Sequence, residues 1–266
     1  MAPGGEEADV SPKYRKIADE LRSQITKGTV PPGEKLLTEA ELMIQYSVSR
    51  NTVRLATGLL VNEGLIHRQG TRMVVRDHMT LIYNASTADL ASARKASDID
   101  EYSTDVAAQG FEPSRQFELK VVALPAELAE RLDVEEGSAA AVRRCVRFVN
   151  DQPNSIQDSY HPKWLTDAVP ELMSPKDIAT GTNRLLAERG YELVAFEDDW
   201  RARMPTPEEA TLLGILPGTA VAMCTATEFT AERPIRITVT TFVGDRNIIR
   251  YTRGDASVIE RYRSAA

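Results

Sequence analysis

The sequence predicts an α+β protein of two domains. A small N-terminal domain of three helices and a short hairpin precedes a larger domain built on an antiparallel sheet with helices. Three observations predict this. Apolar residues recur at helical spacing up to about residue 60, and two short strand-like runs follow. From residue 111 onward, longer strand-like runs alternate with helical stretches. The net charge also changes sign between the two regions.

The charge of the whole chain hides this asymmetry. The 266 residues carry a formal charge of −7 at pH 7, which by itself argues against nucleic acid as a partner. Residues 11–76, however, hold eleven Lys and Arg against six Asp and Glu, a net charge of +5, whereas residues 77–266 carry −9. This pattern suggests nucleic-acid contact at one end, although a solvated basic surface would give the same count.

Composition excludes several classes of protein. With 42% apolar and 27% charged residues, the chain has ample material for a buried core, and no run of eighteen apolar residues could span a membrane. The first ten residues lack the apolar segment of a secretory signal. Cys145 and Cys224 are too few for a disulfide framework or a structural zinc site. We therefore expect a cytoplasmic protein without metal, cofactor or membrane partner.

We predict four segments along the chain. Residues 1–11 form a disordered leader and residues 12–76 the small basic domain. Residues 77–104 form a linker, which contains one apolar patch at 81–83 and becomes helical around 89–102. Residues 105–260 form the larger domain.

The small domain begins with two helices. Four apolar residues form the buried stripe of the first: Tyr14, Ile17, Leu21 and Ile25. Gly28 ends it, and a Pro-Pro-Gly turn at 31–33 follows. A short second helix is expected over 38–46, where Thr38 and Glu41 fit a capping box.

Ser49 is a good N-cap for a third helix, whose buried stripe is Val53, Ala56 and Leu60. Gly64 stands at the expected C′ position, and short strands are expected over 65–68 and 73–75. This order of elements is a winged helix-turn-helix.

That arrangement favours DNA reading, because the N-terminal turn of a recognition helix enters the major groove. Arg50 and Arg54 are spaced i, i+4, so both lie on one face and can bond guanine O6 and N7. A lone pair of arginines would more simply be a solvated helix face, but these two lie on the third helix of a capped helix-turn-helix. The residues expected to contact bases or phosphates are Thr38, Glu39, Ser49, Arg50, Asn51, Thr52, Arg54, Arg68, Gly70 and Arg72.

These residues resemble the DNA-binding domain of the GntR family. The matching motifs cover nearly all of residues 13–76: Tyr14-x-x-Ile17-Ala18-x-x-Leu21-Arg22, Ile25-x-x-Gly28, Pro32-Gly33-x-x-Leu36, Thr38-Glu39-x-Glu41-Leu42, Val48-Ser49-Arg50-x-Thr52-Val53-Arg54 and Glu63-Gly64-Leu65-Ile66. Three positions depart from the family pattern. Leu37 replaces a proline, Ala40 replaces an arginine that contacts DNA in some members, and Arg72 replaces a second wing glycine.

The larger domain reads as an antiparallel sheet with short helices. Strands are expected over 116–123, 139–149, 154–160, 193–203, 220–229 and 235–243, and helices over 125–132, 177–189 and 207–213. The order resembles the UTRA effector domain of the HutC subfamily, which has a chorismate-lyase-like fold. The matching pieces are Leu132-x-Val134-x-x-Gly137, Arg147 with Asp151-x-Pro153, Tyr160-x-Pro162, Arg203 with Glu209 and Leu212, and Arg233-Pro234-Ile235 leading to Asp245-Arg246.

The resemblance also implies an effector pocket. Arg147 matches an arginine that binds the anionic effector in sugar-phosphate-responsive members, whereas Cys145 replaces a second arginine of that set. The implied effector-binding residues are Arg147, Gln157, Tyr160, Arg203, Arg236 and Phe242. Gln157, Arg236 and Phe242 replace two glutamates and a tyrosine, which implies a larger, less polar effector with an acidic group.

Simpler roles stay open for some of these residues. The arginines could pair with Asp158 or Glu228, and Tyr160 and Trp200 are residues of a kind found more often in the core than as a platform for a ligand.

The combined pattern predicts a bacterial transcription regulator that acts as a repressor. We expect a homodimer on double-stranded, pseudo-palindromic operator DNA, released by a small-molecule effector. An alternative is a regulator whose second domain only dimerises. Catalysis is disfavoured because no catalytic constellation stands out and His161 is the one histidine within 105–260.

Overall fold

The computed structural model describes residues 12–76, 80–85 and 101–253, together with Ile259. The chain divides into two compact units. The first comprises the chain up to Met79 with Leu216–Thr219, and the second comprises Thr80–Ile215 with the chain from Ala220 onward. The α+β fold class is confirmed. The predicted leader, residues 1–11, lies outside the described residues.

The first unit contains three helices and a hairpin, as predicted. These are α1 (Lys13–Thr26), α2 (Glu39–Tyr46), α3 (Arg50–Asn62) and the antiparallel strands β1 (Ile66–Gln69) and β2 (Arg72–Val75). One apolar core joins them: Ile17, Ala18, Leu21, Leu36, Leu42, Val53, Ala56, Leu60, Ile66 and Val75. The core explains why the helical stripes read from the sequence face one another.

Local capping fixes where these helices begin and end. The Thr38 hydroxyl accepts a hydrogen bond from Glu41 N, and the Glu41 carboxylate accepts from Thr38 N, which completes a capping box at α2. At α3, the Ser49 hydroxyl accepts from Thr52 N. Gly64 follows with a φ of +74°, the left-handed conformation that glycine adopts readily at C′.

The second unit is built on a six-stranded antiparallel sheet. Its strands are β4 (Pro113–Ala123), β5 (Ala139–Val149), β6 (Gln152–Pro162), β7 (Ala195–Arg203), β8 (Val221–Phe229) and β9 (Pro234–Val243), in the spatial order β4-β5-β6-β9-β8-β7. Its helices are α4 (Glu101–Ala108), α5 (Ala126–Arg131), α6 (Lys163–Ala168), α7 (Thr182–Glu188) and α8 (Pro207–Leu212), with a 3₁₀ turn at Pro170–Met173. Strand bounds agree with the predictions to within a few residues.

One strand lies where the sequence predicted a linker. β3 (Leu81–Asn84) pairs in parallel with β10 (Asn247–Arg250), which was not predicted either. The apolar patch at 81–83 carries no local sign of this pairing, because its partner lies at the far end of the chain. The second unit therefore starts earlier than residue 105.

Helix bounds also differ from the predictions. The helix expected over 177–189 begins only at Thr182, because Gly181 precedes it with a φ of +78°. The helix expected around 89–102 falls mostly outside the described residues, and α4 begins at Glu101. Within the described residues, no helix is long and apolar enough to cross a membrane.

Candidate nucleic-acid interface and ligand cavity

The N-terminal turn of α3 is exposed and held in place by its cap. The Ser49 and Thr52 hydroxyls lie 2.9 Å apart, so both are engaged within the turn. Arg50, Asn51 and Arg54 project from it into solvent. A capped turn with exposed guanidinium groups can reach base edges, and its backbone N–H groups favour phosphate oxygens.

Glu39 is the centre of an arginine cluster on this surface. Its carboxylate lies 3.7 Å from Arg50 Nε, 3.2 Å from Arg54 Nε and 3.8 Å from Arg68 Nη2. The three arginine side chains are 58–62% exposed, whereas Glu39 is 26% exposed. Ion pairs this exposed contribute about 0–1 kcal/mol each, so phosphate or guanine oxygens can replace them at little cost. One carboxylate thus collects arginines from α3 and β1 on one face.

The hairpin forms the wing next to this cluster. Gly70 lies in its turn with a φ of +60° and has open space where a Cβ would stand. Arg72 on β2 lies 3.8 Å from the Glu41 carboxylate. The Thr38 hydroxyl donates to Glu41, and these hydrogen bonds, followed by the charge of Arg72, lower the pKa of Glu41. Thr38 therefore acts in the structure as a cap, and any DNA contact from it would compete with that role.

In the second unit, one face of the sheet lines an open cavity of about 370 Å³. The strand register places its side chains in rows across the sheet. The central row is Phe117, Cys145, Gln157, Thr240, Cys224 and Trp200. One neighbouring row contains Arg147 and Phe242, and the other contains Arg143 and Asp198. β3, α4 and the segment 177–184 complete the wall.

Four of the six predicted effector-binding residues line this cavity: Arg147, Gln157, Arg236 and Phe242. The other two lie on the opposite face of the sheet, because successive side chains of a strand alternate between faces. Tyr160 packs against the apolar cluster around Leu124 and Leu132, and Arg203 is bonded to Glu209 of α8. The prediction that Tyr160 and Arg203 line the effector pocket is therefore wrong.

Arg147 has only neutral partners among the described residues. Its guanidinium donates to the Gln157 amide oxygen and lies 4.5 Å from the centre of the Tyr102 ring. Tyr83 is also close, since Arg147 lowers its pKa through charge and a hydrogen bond, against the larger raising effect of burial. The carboxylate of Asp158, a partner considered from the sequence, bonds Arg144 instead. Arg147 therefore presents an uncompensated positive charge to the cavity.

Arg236, in contrast, is internally paired. It forms a buried ion pair with Glu228, and the two side chains are 9% and 5% exposed. Arg236 also donates to the Asn183 amide oxygen at 2.5 Å, and the Thr238 hydroxyl donates to Glu228 at 2.8 Å. The simpler role considered for Arg236 is the one that the structure shows. This pair is a structural part of the cavity wall.

Sequence reasoning missed several lining residues. The Tyr83 ring lies 4.7 Å from the Phe242 ring, and Trp200 stacks on Phe242 at 5.9 Å. Asp198 lies two residues before Trp200, so strand alternation within β7 could have placed both on one face. Nothing local could have placed Tyr83, because it reaches the cavity through the long-range pairing of β3.

Two further lining residues, His161 and Cys224, have side chains that are not reactive. His161 is fully buried, and within the described residues neither ring nitrogen has a hydrogen-bond partner. Burial, and then the charges of Arg236 and Arg143, hold its pKa well below the usual range, so the ring is neutral. Burial and nearby carboxylates raise the pKa of Cys224 to about 12, so its thiol stays protonated. Neither group offers a nucleophile.

Comparison with known proteins matches both units. The profile of the gntR family of bacterial regulatory proteins matches residues 13–75, and that of the UTRA domain matches residues 108–247. The chain is 27% identical over 219 residues to the HTH-type transcriptional repressor NagR of Bacillus subtilis, covering 82% of this chain and 84% of that protein. It is 32% identical over 159 residues to the regulator GgaR of Escherichia coli, covering 59% of each.

A third relative is the mannosyl-D-glycerate transport/metabolism system repressor MngR of Escherichia coli, 27% identical over 77% of this chain and 80% of that protein. Among solved structures, a GntR-family regulator superposes with a TM-score of 0.65 at 21% identity, covering 92% of this chain and 98% of its own. PhnF from Mycobacterium smegmatis gives 0.54 at 19% identity, covering 90% and 99%. These likenesses show the shared fold.

The candidate DNA-binding surface and the lined cavity thus lie on the two domains that the family profiles identify. Members of this family are DNA-binding transcriptional regulators and not enzymes. The chain belongs to the GntR family of bacterial transcriptional regulators and carries a UTRA domain as its second unit.

Proposed function

We propose that this chain is a cytoplasmic repressor of the HutC subfamily that binds a pseudo-palindromic operator as a homodimer and leaves it when a small molecule enters the cavity. The observation that carries the DNA-binding part is the convergence of Arg50, Arg54 and Arg68 around Glu39, at the exposed start of a capped recognition helix. NagR and MngR are both named as repressors, which supports repression and not activation.

The surface supports specific reading in the following way. Arg50 and Arg54, one turn apart on α3, can each present two N–H donors to a guanine in the major groove. Asn51, Ser49 and Thr52 lie at the same turn and can contact bases or phosphates. Arg68, Gly70 and Arg72 place a basic wing beside the helix, where Gly70 allows close approach of the backbone to DNA.

The cavity supports the effector part. It is open, polar and aromatic, and Arg147 stands in it without a carboxylate partner in the described part of the chain. A ligand with an acidic group gains a charge-assisted hydrogen bond there. Release of DNA then requires that the ligand bind one state of the dimer better than the operator-bound state.

The reading helix is tested by selecting the operator from a pool of random duplexes and measuring affinity by fluorescence anisotropy. Arg50→Ala and Arg54→Ala should each cost about 1–3 kcal/mol of specific binding and relax base preference at one position. Lys27→Ala removes one exposed positive charge just after the last residue of α1, outside α3, and serves as the control. Wild-type affinity in both arginine variants would contradict the assignment of α3.

The effector role is tested by thermal shift of the full chain against a panel of metabolites, because a ligand that binds only the folded state raises its stability. A compound that raises the melting temperature and weakens operator binding supports release. If no compound binds and the protein is still a dimer, the alternative of a second domain that only dimerises stands instead.

A further inference from the structure

Arg147 and Asp198 are side chains of opposite charge that line the cavity without an oppositely charged partner among the described residues. Arg143 also lines the cavity, but its guanidinium donates to the backbone carbonyl oxygens of Leu172, Ser174 and Lys176. Arg147 is bonded only to neutral groups. Asp198 lines the same face of the sheet from the edge strand β7, and its carboxylate has neither an ion pair nor a hydrogen bond within the described residues. Burial, and then the charges of Glu228 and Asp199, raise its pKa. The acidic groups elsewhere in the lining are engaged. Asp177 pairs with Arg115, Glu228 with Arg236, and Asp105 accepts from Asn84.

The two charges stand close enough to act on one side chain. Both Arg147 and Asp198 affect the pKa of Tyr83, which burial raises, with Arg147 lowering it and Asp198 raising it. The strand register places Arg147 and Asp198 in the two rows that flank the central row of the sheet. Arg147 lies on β5 and Asp198 on the edge strand β7, and both line the same cavity, so a ligand that pairs with both must carry its charged groups at opposite ends.

Aromatic rings lie near both charges. Tyr83 and Trp200 both pack on Phe242, and each of the two is partly exposed toward the cavity. The volume of about 370 Å³ is at the small end of the range for ligand pockets, roughly 300–1,000 Å³, so the cavity suits a compact molecule. Flat apolar groups gain most from such a surface, since they stack on rings and displace water.

We propose that the effector is amphoteric. An acidic group of the ligand pairs with Arg147, a protonated amine pairs with Asp198, and a flat apolar part between them lies against Tyr83 and Trp200. This inference rests on the proposed effector role of the cavity. It also extends the acidic effector implied by the sequence, because a purely acidic ligand would leave Asp198 as an unpaired and repelling charge.

Three probes that share one ring test this by isothermal calorimetry on the full chain. 4-(Aminomethyl)phenylacetate carries both charges at opposite ends of the ring, phenylacetate only the carboxylate and benzylamine only the ammonium group. We expect 4-(aminomethyl)phenylacetate to bind at least about tenfold more tightly than either of the others, a difference of roughly 1.4 kcal/mol. Equal affinities, or no binding of 4-(aminomethyl)phenylacetate at about 10 mM, would overturn the proposal.

Two variants assign the charges. Asp198→Asn should remove the advantage of 4-(aminomethyl)phenylacetate over phenylacetate, and phenylacetate should bind no more weakly than to the wild type, because a repelling charge is lost. Arg147→Gln should weaken the binding of both carboxylates and should not weaken that of benzylamine. Asp199→Asn is the matched control, since the adjacent carboxylate lies on the other face and pairs with Arg131. If Asp198→Asn behaves like Asp199→Asn, the amine site is wrong.

Failure of this inference is distinguishable from failure of the proposed function. Operator binding that depends on Arg50, together with equal affinities for the three probes, refutes the amphoteric ligand and leaves the regulator intact. The expected pattern of probe affinities without any change in operator affinity supports the ligand chemistry and refutes release by the effector. Each measurement is made on the same full-length protein.

Discussion

Glu39 lies at the centre of the arginine cluster proposed to contact DNA, so it is placed to affect the balance between specific and non-specific binding. A carboxylate within 4 Å of three exposed guanidinium groups restrains their directions and cancels one of their charges. Without it, the arginines are freer to follow phosphates, which lie everywhere along the duplex. We therefore expect Glu39 to favour base reading over phosphate binding.

Glu39→Gln should accordingly raise affinity for a random duplex about three- to tenfold at low salt and lower the ratio of operator to random affinity. Fluorescence anisotropy over a series of salt concentrations measures both quantities. Glu34→Gln makes the same change of charge at an exposed turn and is the control. An unchanged affinity ratio in Glu39→Gln would show that the carboxylate does not orient the arginines.

Unlike the exposed cluster around Glu39, the pair Glu228–Arg236 is buried, so its contribution is to the stability of the fold. Glu228→Gln leaves the guanidinium of Arg236 in a site that is 9% exposed, and we expect a loss of about 3–5 kcal/mol in the free energy of unfolding. Both tryptophans, Trp164 and Trp200, lie in the second unit, so their fluorescence during urea denaturation reports on it.

The exposed pair Glu171–Arg189 provides the comparison. Its side chains are 42% and 44% exposed, so Glu171→Gln should cost no more than about 1 kcal/mol. A similar loss in the two variants would mean that burial does not determine the cost.

Among the elements, helix α8 depends on one carboxylate, which caps its N-terminus and also bonds the helix to strand β7. Glu209 completes a capping box with Thr206 and accepts two hydrogen bonds from Arg203 of β7, at 2.6 and 2.7 Å. The Arg203 guanidinium is the main cause that lowers the pKa of Glu209 from 4.5 to about 2. The charged form is therefore stabilised by folding.

The sign of the pH dependence follows from that depressed pKa. The contribution, roughly 2–3 kcal/mol, is complete above about pH 4.5 and is lost as the pH falls through about 2. Glu209→Gln should flatten this part of the curve of stability against pH, measured by urea denaturation at each pH. Glu135→Gln, an exposed carboxylate of the same unit, should keep the wild-type slope.

The elements differ in how far the sequence could predict them. Caps and periodic stripes are local, so Thr38, Ser49 and Gly64 marked the ends of helices that the structure shows. The β3–β10 pairing is not local, and its four-residue strands carry too little pattern to be recognised. The lack of a local signal for long-range pairing also explains why the cavity lining was predicted only in part. Arg147 and Gln157 came from resemblance, whereas Tyr83 depends on a pairing that no neighbouring residue signals.

Strand alternation could have improved the predicted cavity. Arg203 and Tyr160 match family motifs in order, but the motif order does not say which face of the sheet they occupy. Trp200 and Asp198 share a parity along β7, and Arg203 has the other. If motif order had been combined with the alternation of faces along each strand, Arg203 would have been left out of the predicted cavity lining and Asp198 would have been included.

At the scale of the whole molecule, the two units have separate cores. Apolar residues of the described first unit pack around Leu42 and Leu60, and those of the second form clusters on its own sheet, such as that around Leu165 and Leu186. Since each of these clusters lies within one unit, we expect the two cores to unfold in separate transitions. The chain should therefore not behave as a single two-state system.

Calorimetry of the full chain should show two transitions, of which tryptophan fluorescence follows only the one that belongs to the second unit. The ligand of each unit should then move its own transition, because binding to a folded unit adds RT ln(1 + [L]/Kd) to its stability. Operator duplex raises the transition without a fluorescence change, and Arg54→Ala weakens that shift. Operator duplex that raises the fluorescence-detected transition alone, or a single transition seen by both methods, would contradict this division of the protein into a DNA-binding unit and a ligand-binding unit.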